Sequence, residues 1–473
     1  MVNPEVIRHG RYVPPKVLNN EFFTRANPHQ SYLGHDKDGN PIFAQDLVEL
    51  DNAKILKITG GIRERRCAAP DERGVDLVKK AFDTTDFDPL DLGGIIVSTV
   101  THDNALSFPA VACRIQEYLD ARNVNFTQDM LAPEGGGFSC AFSHARSRVK
   151  ETRMSHLVVG LPVLSEIVPY EKIRSNPFAM ADEVRVILPD LTVVSYDPDF
   201  PAETLGGIIV GNTSDRNGSV ASLEIQRKIG ASNAVYLEDV AAACSGFTHA
   251  LDRGARIVAE TGKNVLVAGV ETLTKIVSYR EGCRPGDPLN SLRGEEPGDV
   301  NADLFGDGCG FVILGPTENS RKGILATEFR SDVFAPNEGD MRGVDLIYLD
   351  KQGFLRMPGG SQVRKRAVRG MIDLAHKVVG KADLTKDDVS LYCPHQFNGD
   401  GLASLARRID PRPNIVYVNI QVTANMSSAT GAYAFSEAQD SPYGDNKRVG
   451  EGDLVVLMDI GAGLAGGAVA VRL

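Results

Sequence analysis

One block of this sequence is written twice. Gly93-Gly94-Ile95-Ile96-Val97 recurs as Gly206-Gly207-Ile208-Ile209-Val210, and Ile115-Gln116 recurs as Ile225-Gln226. Asp129 then answers Asp239, Phe138 answers Phe247, and Leu157-Val158-Val159-Gly160 answers Leu266-Val267-Ala268-Gly269. From Phe138/Phe247 through Ile167-Val168 and Ile276-Val277 the spacing between partners stays constant. Unrelated βα units can look alike by chance, but a constant register marks duplication. Each copy, about 75 residues long, reads as strand–helix–strand–helix–strand, because short apolar runs alternate with amphipathic stretches. That alternation predicts mainly parallel sheet with covering helices, and 473 residues leave room for two core-forming units.

The copies differ where chemistry would sit. In copy two an apolar run ends in three alanines, followed by Cys244, Ser245-Gly246 and an amphipathic stretch to about Ala259. A cysteine at a helix N-terminus faces unpaired N–H groups and the positive end of the helix dipole, which favour a thiolate nucleophile. The other reading is a buried cysteine that packs as a small hydrophobe. Copy one has Pro133-Glu134-Gly135-Gly136-Gly137 at this place and cannot repeat a thiol step. Glu134 reads either as a solvated loop residue, the usual fate of Glu, or as an acid/base group in a second cavity. Between the copies, 170–204 contains Pro177, Pro189, Pro198 and Pro201 and reads as a connector with a hairpin-like portion.

Two further polar residues fall at predicted strand ends: His395 in Cys-Pro-His-Gln-Phe-Asn and Asn425 in Thr-Ala-Asn-Met-Ser-Ser. In α/β sheets, ligands gather beyond strand carboxyl ends. A lone histidine is more often structural, but three such groups at strand ends carry more weight together. The glycines of Phe305-Gly306-Asp307-Gly308-Cys309-Gly310 predict close backbone approach before a buried strand. On the helix predicted from Ser361, the cluster Arg364, Lys365, Arg366 and Arg369 is either a solvated face or a docking site for an acidic macromolecule.

Charge narrows the partners. With 51 basic and 62 acidic residues the net charge is −11, which argues against nucleic acid or an anionic membrane as the main partner. No signal sequence or apolar run of spanning length is evident, so the expected location is cytoplasmic. The seven cysteines include no close Cys-x-x-Cys pair, so free thiols and no metal site are expected.

Gly61-Ile62-Arg63-Glu64-Arg65-Arg66, Asp239 to Phe247, Phe305 to Gly308, Pro394-His395-Gln396 with Asn398, Asn425 to Ser428, and Gly461 to Gly463 occur in an order that resembles the thiolase superfamily. Within it, they are similar to the β-ketoacyl-acyl-carrier-protein synthase III group of condensing enzymes. The resemblance implies an α/β fold, a five-layered α-β-α-β-α core of two similar halves at 1–314 and 315–473, and a homodimer. An extra duplicated βαβαβ segment would fall at about 129–238. By the same resemblance, Cys244 would carry the acyl group and His395 and Asn425 would complete the site. The N–H groups of Cys244 and of the Gly461-Ala462-Gly463 turn would hold the oxyanion. Phe108 and Phe305 would border the acyl pocket, Asn398 would support the site, and Arg364, Lys365 and Arg366 would help dock acyl carrier protein. No cofactor is implied; acyl-coenzyme A or acyl-carrier thioesters would be the substrates.

The family places a tryptophan and an arginine just ahead of the Gly-Ile-Arg segment to grip coenzyme A. Here Ile55 and Thr59 stand at those places, and Asp400 stands where a basic residue is common. Two chemistries stay open on this fold: decarboxylative condensation with a malonyl-type thioester, or acyl transfer to an oxygen or nitrogen nucleophile with His395 as general base. A cysteine hydrolase and a non-catalytic scaffold are further readings. The surrounding motifs fit the first poorly, and intact Cys244, His395 and Asn425 argue against the second.

Overall fold

A computed structural model describes the chain except residues 1, 26–28, 31, 36–40, 47, 100, 102–109, 134–136, 162–177, 179–180, 182, 214–219, 278–297, 300–302 and 350–354. Phe108 and Glu134 therefore lie outside the described residues.

The first sheet is built from β1 (Asn3–Tyr12), β2 (Leu92–Ser98), β3 (Phe126–Ala132), β4 (Ser155–Leu161), β5 (Glu183–Ile187), β6 (Val193–Ser195), β7 (Leu205–Thr213), β8 (Tyr236–Ala241), β9 (Asn264–Thr272) and β10 (Asp307–Thr317). Around it lie α1 (Gly74–Phe82), α2 (Val111–Tyr118), α3 (Gly137–Thr152), α4 (Ala221–Ile229) and α5 (Gly246–Thr261). The second sheet holds β11 (Gly323–Ser331), β12 (Leu391–Pro394), β13 (Leu454–Ile460) and β14 (Ala465–Arg472), with α6 (Gly360–Lys381), α7 (Gly399–Ile409) and α8 (Ala429–Asp440). Helices α5 and α8 lie between the sheets, α1 and α4 cover the outer side of the first, and α6 covers the second. This is the expected five-layered order. Close packing of the middle layer needs Gly310, since a Cβ there would stand 2.3 Å from the backbone N of Tyr433 on α8.

The repeat is structural in origin. Asp129 accepts from Ala112 N at 2.9 Å, while Asp239 accepts from Ala221 N and Ser222 N at 2.7 and 2.9 Å. Each carboxylate thereby satisfies N–H groups at the start of the preceding helix, where negative charge is favoured. The paired glutamines close the far ends: Gln116 Nε2 donates to Ala121 O and Val124 O, and Gln226 Nε2 donates to Ala234 O.

Strand pairing corrects the simplest picture of the duplication. The first sheet runs β1-β10-β9-β2-β8-β3-β7-β4-β5-β6. Strand β2 of copy one lies between β8 and β9 of copy two, parallel to both, and β7 of copy two lies between β3 and β4 of copy one. The first strands have changed places. Helix α4 packs on β2 and α1, whereas α2 packs on β3 and β7. The segment outside the β1-β10-β9-β2-β8 half therefore follows β2 and ends with β7, rather than spanning 129–238. Its hairpin β5–β6, inside the expected connector, extends the sheet antiparallel to β4.

Candidate active site

Strand β8 delivers Cys244. A three-residue 3-10 turn, Ala243–Ser245, joins it to α5, with Ala243 at φ 50°. Burial pushes the Cys244 thiol up to about 12; a hydrogen bond to Ser427 opposes this, while the nearby Glu271 and Asp459 carboxyls add to it. Burial thus works against the thiolate that the helix start favours. The thiol must lose its proton to a partner during the reaction.

His395 follows β12, and its N–H donates to Met458 O on β13 at 2.9 Å, which fixes the residue against the second sheet. Its Nδ1 lies 2.5 Å from Thr430 Oγ1, and that hydroxyl donates to Ser427 O at 2.6 Å. A carbonyl only accepts, so when Thr430 spends its one proton on Ser427 O, its Oγ1 accepts from Nδ1–H. In that tautomer neutral His395 keeps its lone pair on Nε2. Burial lowers its pKa to about 3, with a backbone bond to Ser427 opposing, so the ring rests neutral.

Asn425 is held by its main chain, which donates to Leu304 O at 2.9 Å and accepts from Gly306 N at 3.0 Å. Its Oδ1 accepts from Ser427 N at 2.8 Å. The amide is thereby oriented with Nδ2 as the group left for a ligand.

These three residues line one apolar cavity of about 260 Å³, walled by Leu304, Phe305, Ile347, Leu355 and Phe397. Gly461 also lines it; a Cβ there would lie 2.7 Å from Cys244 N, so the glycine turn abuts the cysteine turn. The N–H of Gly461 is spent on Ala465 O at 2.8 Å, which removes it from the expected oxyanion donors. Gly463 adopts φ 77° inside the same turn. Asn398 lines the cavity but acts as the cap of α7, accepting from Gly401 N and donating to Ile58 O.

The basic cluster divides. Arg364 lies at the cavity and pairs with Asp400 at 3.7 Å. Lys365 is exposed. Arg366 donates to Met341 O, Asp332 O and Phe334 O, so it braces loops and is corrected from the docking role. Ile55 and Thr59 are fully buried, and Thr59 Oγ1 donates to Ile55 O, so neither offers a surface for a nucleotide. Sequence reasoning missed Thr430 and Ser427. Their signal was the hydroxyl-rich Ser427-Ser428-Ala429-Thr430 run opening α8 just after Asn425.

Residues 238–333 match the family model for 3-oxoacyl-[acyl-carrier-protein (ACP)] synthase III, and 379–473 match its C-terminal counterpart. The β-ketoacyl-[acyl-carrier-protein] synthase III of Aquifex aeolicus is 34% identical over 239 residues, covering 50% of this chain and 67% of the relative. That of Natranaerobius thermophilus is 31% identical over 282 residues, covering 58% and 78%. In fold, the chain is similar to the crystal structure of the Aquifex aeolicus VF5 enzyme, with TM-score 0.59, 22% identity, and coverage of 99% and 100% of the two chains. The priming β-ketosynthase of the R1128 polyketide pathway superposes equally well, with TM-score 0.59, 20% identity, and coverage of 100% and 96%. The chain belongs to the β-ketoacyl-acyl-carrier-protein synthase III family of the thiolase superfamily.

Proposed function

We propose that this protein is an acyltransferase of the EC 2.3.1 class that loads an acyl group from a thioester onto Cys244 and condenses it with a malonyl-type thioester. The observation that carries the reading is the convergence of Cys244, His395 and Asn425 on one apolar cavity with the Gly461 turn against Cys244 N. His395 Nε2 takes the thiol proton as sulfur attacks the acyl carbon, and returns it to the departing thiolate. The Cys244 N–H and the turn at Ala462-Gly463 serve the tetrahedral oxyanion. Loss of carbon dioxide from the second thioester leaves an enolate, whose oxygen Asn425 Nδ2 stabilises. The enolate carbon attacks the acyl group, the carbon–sulfur bond to Cys244 breaks, and one proton from solvent restores the thiol.

A carrier-bound donor is favoured over free coenzyme A, because Ile55 and Thr59 are buried while Lys365 and Arg369 are exposed on α6. The Nε2 lone pair of His395 also favours a second reading, acyl transfer to an oxygen or nitrogen nucleophile by general base catalysis. Mass spectrometry of the protein after exposure to acyl-coenzyme A and acyl-carrier thioesters tests the first step; no adduct on Cys244 across the panel overturns both. Carbon dioxide release from malonyl thioester, coupled to acyl-enzyme consumption, separates condensation from simple transfer.

A further inference from the structure

The centre of the first sheet is a two-fold seam inside a single chain. From β1 to β6 the pairings run antiparallel, antiparallel, parallel, parallel, then antiparallel at β8–β3, then parallel, parallel, antiparallel, antiparallel. That order reads the same from either end. At the seam Asp239 pairs with Leu131, Val240 with Met130, and Ala241 with Asp129. In the repeat Asp129 is the counterpart of Asp239, Met130 of Val240, and Leu131 of Ala241. Residue one therefore meets residue three of the other copy, residue two meets residue two, and residue three meets residue one. This reciprocity is the signature of an isologous contact, which ordinarily joins two copies of a subunit.

The second observation lies on α3. Its counterpart α5 is buried along nearly its whole length, because β13 and β14 of the second sheet pack over it; Thr248, Asp252 and Ala255 are all buried. The corresponding α3 residues, Ser139, Ser143 and Arg146, are exposed. Among the described residues copy one has no second sheet of its own; the facing positions are polar in both copies at Thr248/Ser139 and Asp252/Ser143, and Arg146 stands where copy two has Ala255. The exposed positions Ser139, Ser143 and Arg146 make this helix face polar.

We propose that the extra copy occupies the seat of a partner subunit, so that the protein is a self-contained monomer with one cysteine site, in place of the homodimer implied by the family resemblance. A tethered copy competes for the β8 edge at an effective concentration on the order of millimolar, which a free chain at micromolar concentration cannot match. Analytical ultracentrifugation and native mass spectrometry of the full chain, from low to high micromolar, are expected to give one species at 51.0 kDa. A species of twice that mass overturns the proposal. Hydrogen exchange supplies a second readout: amides of Asp239 to Ala241 should show protection independent of protein concentration. Protection that rises with concentration would mean that a second chain forms the seam, and would overturn the proposal as well.

Discussion

Copies one and two of the repeat share a backbone but not a task. Helices α3 and α5 end alike: Arg153 N donates to Val149 O at 2.9 Å, and Gly262 N to Val258 O at 2.8 Å, each from a left-handed residue. Their beginnings diverge, since copy two opens α5 with Cys244, which shares one cavity with His395 from the end of β12 and Asn425 from the turn before α8. Copy one lacks that cysteine, and among the described residues it has no second sheet of its own. The fold of a repeat and its chemistry are thus separable: the carboxylates and glutamines that set the helices were kept in both, while the reactive group needs residues from outside the repeat.

The sharpest way to break this comparison is Cys244→Ala. We expect loss of condensing or transfer activity by at least about a thousandfold and no acyl adduct anywhere on the chain. Cys140, on α3, is the thiol of copy one nearest in register, and burial pushes it up to about 12. An adduct there in the variant would show that copy one retains chemistry. Next in size is Thr430→Val, which removes the acceptor for His395 Nδ1–H. We expect a fall in kcat/KM of roughly tenfold to a hundredfold with a displaced pH profile, unchanged folding, and partial rescue by Thr430→Ser.

Stability carries the comparison across the seam. Asp252 on α5 is buried against Arg148 of α3 at 3.4 Å, Arg256 at 2.9 Å and Thr327 at 2.7 Å. Burial alone would raise its pKa, but Arg256 and Arg148 hold the carboxyl far below the usual range. The folded pKa lies below the unfolded value, so this contribution is present above about pH 4 and is lost as pH falls toward the folded pKa. Asp252→Asn should cost about 3 kcal/mol at neutral pH, leaving the buried Arg148 and the half-buried Arg256 guanidiniums short of their partner. It should also flatten the fall in stability below about pH 4, measured by urea unfolding across pH. An unchanged acid slope would assign that slope to other carboxylates.

The duplication was legible because it rests on residues with fixed local duties: Asp129 and Asp239 at helix starts, Gln116 and Gln226 at helix ends. Cys244 and His395 were legible as polar groups beyond strands, and the family order named both with Asn425, which follows a short helix at Ile420–Thr423 where the sequence suggested a strand end. The exchange of β2 and β7 was not, since two equivalent strands carry the same Gly-Gly-Ile-Ile-Val pattern and either fits either slot. Nor was the resting state of Cys244, because desolvation depends on what the second sheet places over the turn. Arg366 failed as a docking residue for a related reason: a basic pattern on a helix does not disclose which carbonyls the neighbouring loops will bring to it.

The smallest expected effect tests how closely the helix ends correspond. Arg153 sits at φ 58° where copy two has Gly262 at φ 67°. An L-residue there carries strain that glycine does not, on the order of 1 kcal/mol, while glycine gives back part of that gain through the greater freedom of the unfolded chain. Arg153→Gly should therefore stabilise the protein slightly, by about 0.5 kcal/mol, and Gly262→Arg should destabilise it by a similar amount or more. Both are read from urea midpoints, with activity unaffected by the first because Arg153, at the far end of α3, is outside the cavity lining. If Gly262→Arg proves harmless while Arg153→Gly destabilises, the two helix ends are not equivalent. The kinship of the copies would then stop at the strands, and copy one would have been refitted as a partner more deeply than its backbone shows.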